Sequence, residues 1–303
     1  MEDLLMKAAG LLCIISAGYI LKQKGVFCTK DAQILSKIII HLTLPGALIG
    51  SFASFTFAIN MVTIILLAAA ANCALLVVAV MVSRGKDAKT RALYMLNMPS
   101  YNIGTFVLPL VQSFLPPEGL LAVAMFDAGN SPMNSGGAYA VTTALIDGKR
   151  MKLRSIIGRM FHSVPFDTFM VMLVMGIVGV RLPEPIYTVA GMFGQANSFL
   201  AMLMMGIIFE LQIDRKEWKN IFLIVGIRYG FGMIIAALSC WVLPVSESAH
   251  VVVALAMLAP IPSVTLAYCN KCGCKPSLVG VIHSMCLPIS LCLSLIVLFL
   301  WKV

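Results

Sequence analysis

Asn97-Met-Pro-Ser-Tyr-Asn-Ile-Gly-Thr-Phe-Val-Leu-Pro-Leu-Val-Gln-Ser-Phe114 lies inside an apolar segment long enough to cross a bilayer, yet it carries Pro99, Pro109, Gly104, Asn97 and Asn102. Each proline lacks the N–H that bonds one turn back, and its ring crowds the preceding turn. In hydrocarbon an unpaired carbonyl costs several kcal/mol, so irregular backbone persists there only inside protein or along a wet cavity. A membrane helix broken between its prolines, with Asn102 and Gly104 at the break, reads as a binding site. The competing reading is a kinked packing helix, because prolines are frequent in membrane helices.

The chain around this stretch has 303 residues, 60% of them hydrophobic and 12% charged, with a mean hydropathy of +0.96. No soluble domain buries that much apolar surface, so the class is an all-α polytopic membrane protein. The net charge of +9 suggests nucleic acid in a soluble chain. Here the basic residues sit in short loops between apolar runs, which points to membrane orientation and to no nucleic-acid partner. The first run is expected to stay as a helix, since no small-residue cleavage site follows a basic leader. The nine cysteines are mostly scattered through apolar segments and suggest no disulfide framework.

Ten apolar segments are expected: 3–22, 31–53, 59–83, 91–114 and 119–146, then 164–181, 193–212, 219–243, 249–270 and 276–301. The loops after the odd-numbered segments hold the lysines and arginines, among them Lys22, Lys24, Arg84, Lys86, Lys149, Arg150, Lys152, Arg215, Lys216 and Lys275. Positive residues stay cytoplasmic, so both termini are expected on the extracytoplasmic face of the plasma membrane. The longest polar link divides the chain into a first five-helix repeat over 1–147, a cytoplasmic connection over 148–163 and a second repeat over 164–303. Five is odd, so the second half enters from the opposite side, giving two inverted repeats. The fourth segment carries Pro99 and Pro109, and the ninth carries Pro260 and Pro262. Interrupted segments at corresponding places in two halves point to a carrier's substrate site, with broken crossing helices four and nine. The link interleaves basic and apolar residues; it either lies on the inner leaflet as an amphipathic helix or is a solvated loop.

Asp127 lies within the fifth segment, and Asn130 and Asn134 follow at helical spacing, so the three can share one face. A carboxylate at membrane depth is costly and faces a cavity or a partner, which makes Asp127 the coupling candidate. The alternative is a helix–helix contact held by amides. Asn102 offers a donor and an acceptor beside free backbone groups that can hold a carboxylate or a cation. Ser263 and Thr265 are the polar residues next to Pro260 and Pro262, with ordinary backbone capping as their other reading. Arg228, Asp167 and Glu210 are weaker, since each can reach the interface by snorkelling. His41 and His283 are lone histidines in apolar segments, where a hydrogen-bonded packing role is the usual one. Cys269, Cys272 and Cys274 cluster after the ninth segment, but no histidine or fourth cysteine stands beside them and no metal site is assigned. No HExxH, GxSxG or P-loop pattern is present, which argues against an enzyme or an ATP-driven pump.

With these residues in view, Asn102-Ile-Gly-Thr-Phe-Val-Leu-Pro109-Leu110 resembles the Asn…Gly-x-Pro-Leu signature of the auxin efflux carrier family, within the bile acid/auxin carrier-like superfamily. Ala259-Pro260 running to Ala267, Ser284 and Leu287-Pro288 are similar to the second-half pattern, and Leu44-Pro45 and Met205-Gly206 also fit. Asp127 with Asn130 resembles an Asp-x-x-Asn of bacterial members. The resemblance implies an inverted-repeat secondary carrier of small organic anions such as carboxylates, with the substrate at the crossing of helices four and nine. It implies a scaffold of helices one, two, six and seven, often a homodimer, with the other helices moving as an elevator. Val107 departs from the usual glycine before Leu-Pro, and the ninth segment has no matching asparagine, so plant-type auxin transport is not assumed.

The sequence thus points to an efflux carrier that binds its anion through Asn102, Gly104, Pro109, Asn130, Asn134, Pro260, Pro262, Ser263 and Thr265. No cofactor is implied, and coupling to a proton, to sodium or to neither stays open. The partners are the anion and membrane lipids. A non-transporting sensor or structural protein, switched by a redox- or metal-responsive cysteine cluster, is the alternative.

Overall fold

The computed structural model describes residues 2–54, 59–148, 153–209 and 218–301. Lys149, Arg150, Lys152, Glu210, Arg215 and Lys216 lie outside them. Among the described residues all regular structure is helical. Helix α1 spans Glu2–Gln23. The second segment is α2 (Thr29–Ile38), a wide turn at Ile39–Thr43 and α3 (Leu44–Ser51). The third is α4 (Val62–Val82), and the fourth is split into α5 (Ala88–Asn97) and α6 (Leu108–Phe114), the latter entered through a wide turn at Ile103–Val107. The fifth is α7 (Glu118–Pro132), a wide turn at Met133–Gly137 and α8 (Ala138–Asp147). Short α9 (Leu153–Met160) lies in the link, and α10 (Val164–Val178), α11 (Glu184–Ile208) and α12 (Trp218–Val242) follow. The ninth segment is split into α13 (Glu247–Met257) and α14 (Val264–Lys271), and α15 (Pro276–Leu300) is last.

Most helices fall on the apolar segments, although α11 begins nine residues before the expected 193, and the two interruptions fall at Pro99 and at Pro260 and Pro262. Among the described residues, six helices are long and apolar enough to cross a membrane by length and composition. Ile103–Phe114, Val164–Val178 and Glu247–Met257 are shorter apolar helices, so length alone does not yield the ten spans expected. Each wide turn adjoins a proline: Pro45, Pro109 and Pro132. The ring removes one backbone bond and needs space, and an i→i+5 turn supplies both adjustments without ending the helix. In the fifth segment the wide turn also contains Gly136 at φ 126°, a backbone that side chains other than glycine's rarely permit.

The elements pack as two groups. Helices α1, α2, α3, α10 and α11 form one, in which α11 lies against α1, α2 and α3, and α10 against α3. The other holds α4, α5, α6, α7, α8, α12, α13, α14 and α15, with α7 set between α4 and α13 and α6 packed on α7. A seam runs between them, crossed by contacts of α11 with α6 and of α3 with α7. The outer surfaces stay apolar: Trp241, Leu66 and Ile234 are exposed, as suits side chains that meet lipid.

Lipid is as apolar as leucine, so helices associate in it by close packing at small residues. The α1–α11 contact uses one glycine from each helix. A Cβ on Gly18 would stand 2.4 Å from the carbonyl oxygen of Leu203, and one on Gly206 would stand 2.0 Å from that of Ile15. Neither backbone can retreat without opening the interface. Gly206→Ala is expected to destabilise the protein by about 1–3 kcal/mol, the usual cost of overpacking. Gly10→Ala, on a face of α1 where nothing lies within 4 Å, is expected to leave stability unchanged or slightly raised. Thermal unfolding of the two variants in detergent checks this; equal melting temperatures would contradict the interlocked contact.

Candidate functional site

The breaks in the fourth and ninth segments meet. The Asn102 N–H donates to the carbonyl oxygen of Pro260 at 2.9 Å. Asn102 also starts the turn into α6: its Oδ1 accepts the Thr105 hydroxyl at 2.6 Å and the Thr105 N–H at 3.4 Å. Ser100 sits at φ 67°, in the left-handed region where a non-glycine residue is strained. Its N–H donates to Asn72 Oδ1 at 2.6 Å, which ties the strained residue to α4. The neighbouring peptide of Tyr101 is held at both ends by Asn130, which accepts from its N–H at 3.0 Å and donates to its carbonyl oxygen at 2.9 Å. The stripped backbone of the break is thus paired with amides from the third and fifth segments.

Arg228 of α12 completes the pairing. Its Nη1 donates to Met98 O at 2.6 Å, and its Nη2 donates to Ala259 O at 3.0 Å and to Pro260 O at 3.3 Å. One guanidinium therefore holds carbonyls from both interrupted helices. Tyr101 lies over it, with Cζ 4.5 Å from the ring centroid. Arg228 is 0% exposed, so the snorkelling open to it does not occur. A snorkelling side chain needs a path to the headgroups, whereas the carbonyls freed at the breaks offer partners at depth. A rigid planar fork with five donors suits scattered carbonyls better than a point charge does.

Around this crossing the expected site residues divide. Asn102, Pro260 and Ser263 line one cavity of about 230 Å³, shared with Thr105, with Met205 of α11 and with Phe209 just after it. Pro262 and Thr265 are buried beside it, and the Pro262 carbonyl oxygen accepts the Thr265 N–H at 3.1 Å. Asp127 and Gly104 instead border a gap of about 20 Å³ between α3, α7 and α10. Asp127 Oδ1 accepts from Asn130 Nδ2 at 3.1 Å. Asn130 is fully buried and spends its amide on Asp127, Asn72 and Tyr101. Asn134 lies in the wide turn after Pro132, with its Oδ1 buried and unpartnered.

Pro109 stands on the seam. Its carbonyl oxygen accepts the Ser113 hydroxyl at 2.8 Å and the Ser198 hydroxyl of α11 at 3.2 Å. Gln112 continues this contact: its Oε1 accepts from Asn197 Nδ2 at 3.1 Å, and Asn197 Oδ1 accepts the Thr43 hydroxyl at 3.0 Å. Next to that chain a cleft of about 1080 Å³ opens between α3, α6 and α11. All three spaces lie on the seam between the two helix groups. Sequence reasoning did not single out Gln112, Asn197 or Asn72, nor Tyr101. A polar side chain inside an otherwise apolar segment is the signal that marks the three amides, as it marked Asn130.

The cysteines form a separate corner. Cys269 Sγ accepts from Asn97 Nδ2 at 3.3 Å, which links α14 to the end of α5. A hydrogen bond from Cys269 holds the Cys274 thiol below its ordinary value, and burial pushes Cys272 up to about 11. Among the described residues no group of three or more His, Cys, Asp or Glu side chains is placed to hold a metal ion.

Arg228→Met leaves the carbonyls of Met98, Ala259 and Pro260 without their donor. It is expected to destabilise the protein by about 3 kcal/mol or more, since each buried unpaired polar group costs roughly 1–3 kcal/mol. Arg228→Lys keeps the charge, reaches fewer carbonyls and is expected to fall between the two. Melting in detergent orders the three proteins; a Met variant as stable as the parent would contradict the clamp.

Residues 3–147 match the family model described as membrane transport protein, that of the auxin efflux carrier family. None of the curated proteins matches the chain.

Proposed function

We propose that this chain, whose residues 3–147 match the membrane transport protein family model, is a secondary carrier that exports small organic anions such as carboxylates across the plasma membrane. The observation that carries this reading is the cavity of about 230 Å³ with the crossed breaks on one side and α11 on the other. A substrate lodged there touches both helix groups at once, as alternating access requires. Its walls join hydrogen-bonding groups of Asn102, Thr105 and Ser263 to the apolar side chains of Met205, Ile208 and Leu287. Such a lining suits a compact carboxylate with an apolar body.

Charge supports an anion. Arg228 is held by carbonyls and a ring, with no carboxylate partner among the described residues. Its positive field is therefore not cancelled locally, and at low dielectric it extends to a cavity whose wall includes Pro260. The carbonyl-clamped guanidinium need not touch the cargo to favour it.

The elevator motion belongs to the same proposal. The group made of the third, fourth, fifth, eighth, ninth and tenth segments carries the crossing, and Arg228 binds its two breaks into one body. The other group, from the first, second, sixth and seventh segments, would be the scaffold and the face of a homodimer. The spaces along the seam support sliding, because rigid close packing would resist it. Ten spans in two inverted halves, 1–147 and 164–303, with both termini extracytoplasmic, accord with the interrupted fourth helix of each half and with the placing of the basic loops. Coupling to a proton or sodium gradient is part of the proposal, and Asp127 is the group the sequence nominates. We assign no enzymatic activity and no cofactor.

Ser263 is exposed, lines the cavity and starts α14 without a side-chain capping bond, so its hydroxyl can be removed at little structural cost. Ser263→Ala and Asn102→Ala are each expected to cut benzoate uptake into proteoliposomes by about tenfold, the loss of roughly 1.4 kcal/mol of hydrogen bonding. Uptake equal to the parent's in both variants would contradict a site at the crossing.

A further inference from the structure

His283 of α15 is one of two histidines expected to be hydrogen-bonded packing residues. His41 is hydrogen-bonded, with Nδ1 2.9 Å from the carbonyl oxygen of Lys37, but it is exposed rather than packed. His283 differs. Its ring borders the cavity at the crossing, and Nε2 is covered by protein with no hydrogen-bond partner. A buried nitrogen left unpaired is costly. Imidazole is also an expensive choice for a helix position that leucine fills at no polar cost, as Leu287 does one turn later on the same wall.

His283 is moreover the titratable side chain on that wall. The other lining residues are one amide, three hydroxyls, one proline, one glycine and apolar groups. From the elements packed against it, the charged or titratable groups that face it are few. Arg228 of α12 acts on it electrostatically, Cys286 follows it on α15, and Tyr229 of α12 donates to the carbonyl oxygen of Cys286 at 2.8 Å. Asp127 borders the separate gap against α10.

We propose that His283 binds the cargo and carries a proton with it. The imidazole ring takes a proton from hydronium on the aqueous side as a carboxylate enters: one O–H bond breaks, one N–H bond forms and water is left. The imidazolium then donates to the carboxylate, and each charge supplies the other's counterion beside Arg228. Anion and proton binding favour one another by linkage, and the pair crosses as a neutral unit. This rests on the reading of the cavity as the cargo site, and it moves the coupling role from Asp127 to His283.

The test uses the purified full chain with benzoate as probe, titrated calorimetrically from pH 5.5 to 8.5 in phosphate and in Tris, whose ionisation heats differ. The parent is expected to take up close to one proton per benzoate, and its affinity to fall by up to tenfold per pH unit over part of the range. His283→Gln keeps a polar group of similar reach and is expected to bind with flat pH dependence and no proton uptake. Asp127→Asn is expected to retain the parent's proton count. A parent that binds benzoate without proton uptake overturns the proposal, whatever the variants do. A His283→Gln protein whose binding stays proton-linked, or an Asp127→Asn protein that loses the linkage, also overturns it while leaving the carrier reading in place. Should the parent bind none of benzoate, acetate and succinate at any pH, the carrier reading fails and this inference with it.

Discussion

The fold depends on one constraint: backbone without helical partners cannot stay bare in hydrocarbon. The Arg228 guanidinium meets it by donating to Met98, Ala259 and Pro260. Those carbonyls belong to two helix interruptions far apart in sequence, and they lie together because one planar cation serves both. The arrangement also explains how an arginine can be wholly buried without a carboxylate. Three charge-assisted bonds and the Tyr101 ring replace its water.

Amides do for the fourth segment's break what the guanidinium does between the breaks. Asn130 pairs with the whole Tyr101 peptide, and Asn72 holds the Ser100 N–H. A strained residue persists because its neighbours are over-determined. The price of this scaffolding is that several polar side chains that look like ligand groups are already engaged. What stays available lines the cavity: the Nδ2 end of Asn102 at the turn into α6, whose Oδ1 is taken by Thr105, Ser263 at the head of α14, and the ring of His283. The division between structural and available polar groups is therefore set by where the broken backbone needs partners.

The sequence made the helical class and both interruptions readable, because hydropathy and proline act locally; the seventh segment, expected at 193–212, instead begins at Glu184 as α11. Pro99, Pro260 and Pro262 mark breaks that the chain indeed makes, whereas Pro109 lies inside α6, just after the wide turn. It did not reveal which side of each break a residue faces. Asn102 and Gly104 are two residues apart, yet they border different spaces. Asn130 is a clamp because Tyr101 lies opposite it, a relation of residues 29 apart in sequence. Arg228 was underrated for the same reason. A lone cation in an apolar run is ordinarily explained by its distance to the headgroups, and nothing near it in sequence announces carbonyls from residues 31 and 130 positions away. The seam likewise arises from tertiary grouping, so Gln112 and Asn197 carried no visible role until α6 and α11 were seen side by side.

The central claim is that both interruptions are pinned to each other at membrane depth by one buried cation. A cryo-EM map of the full chain in a lipid nanodisc measures this most directly. The account predicts density for the Arg228 side chain joined to the carbonyls of Met98, Ala259 and Pro260, with Asn102 and Pro260 adjacent. An Arg228 side chain extended to the headgroups, or fourth and ninth helices that run unbroken or lie apart, would contradict it.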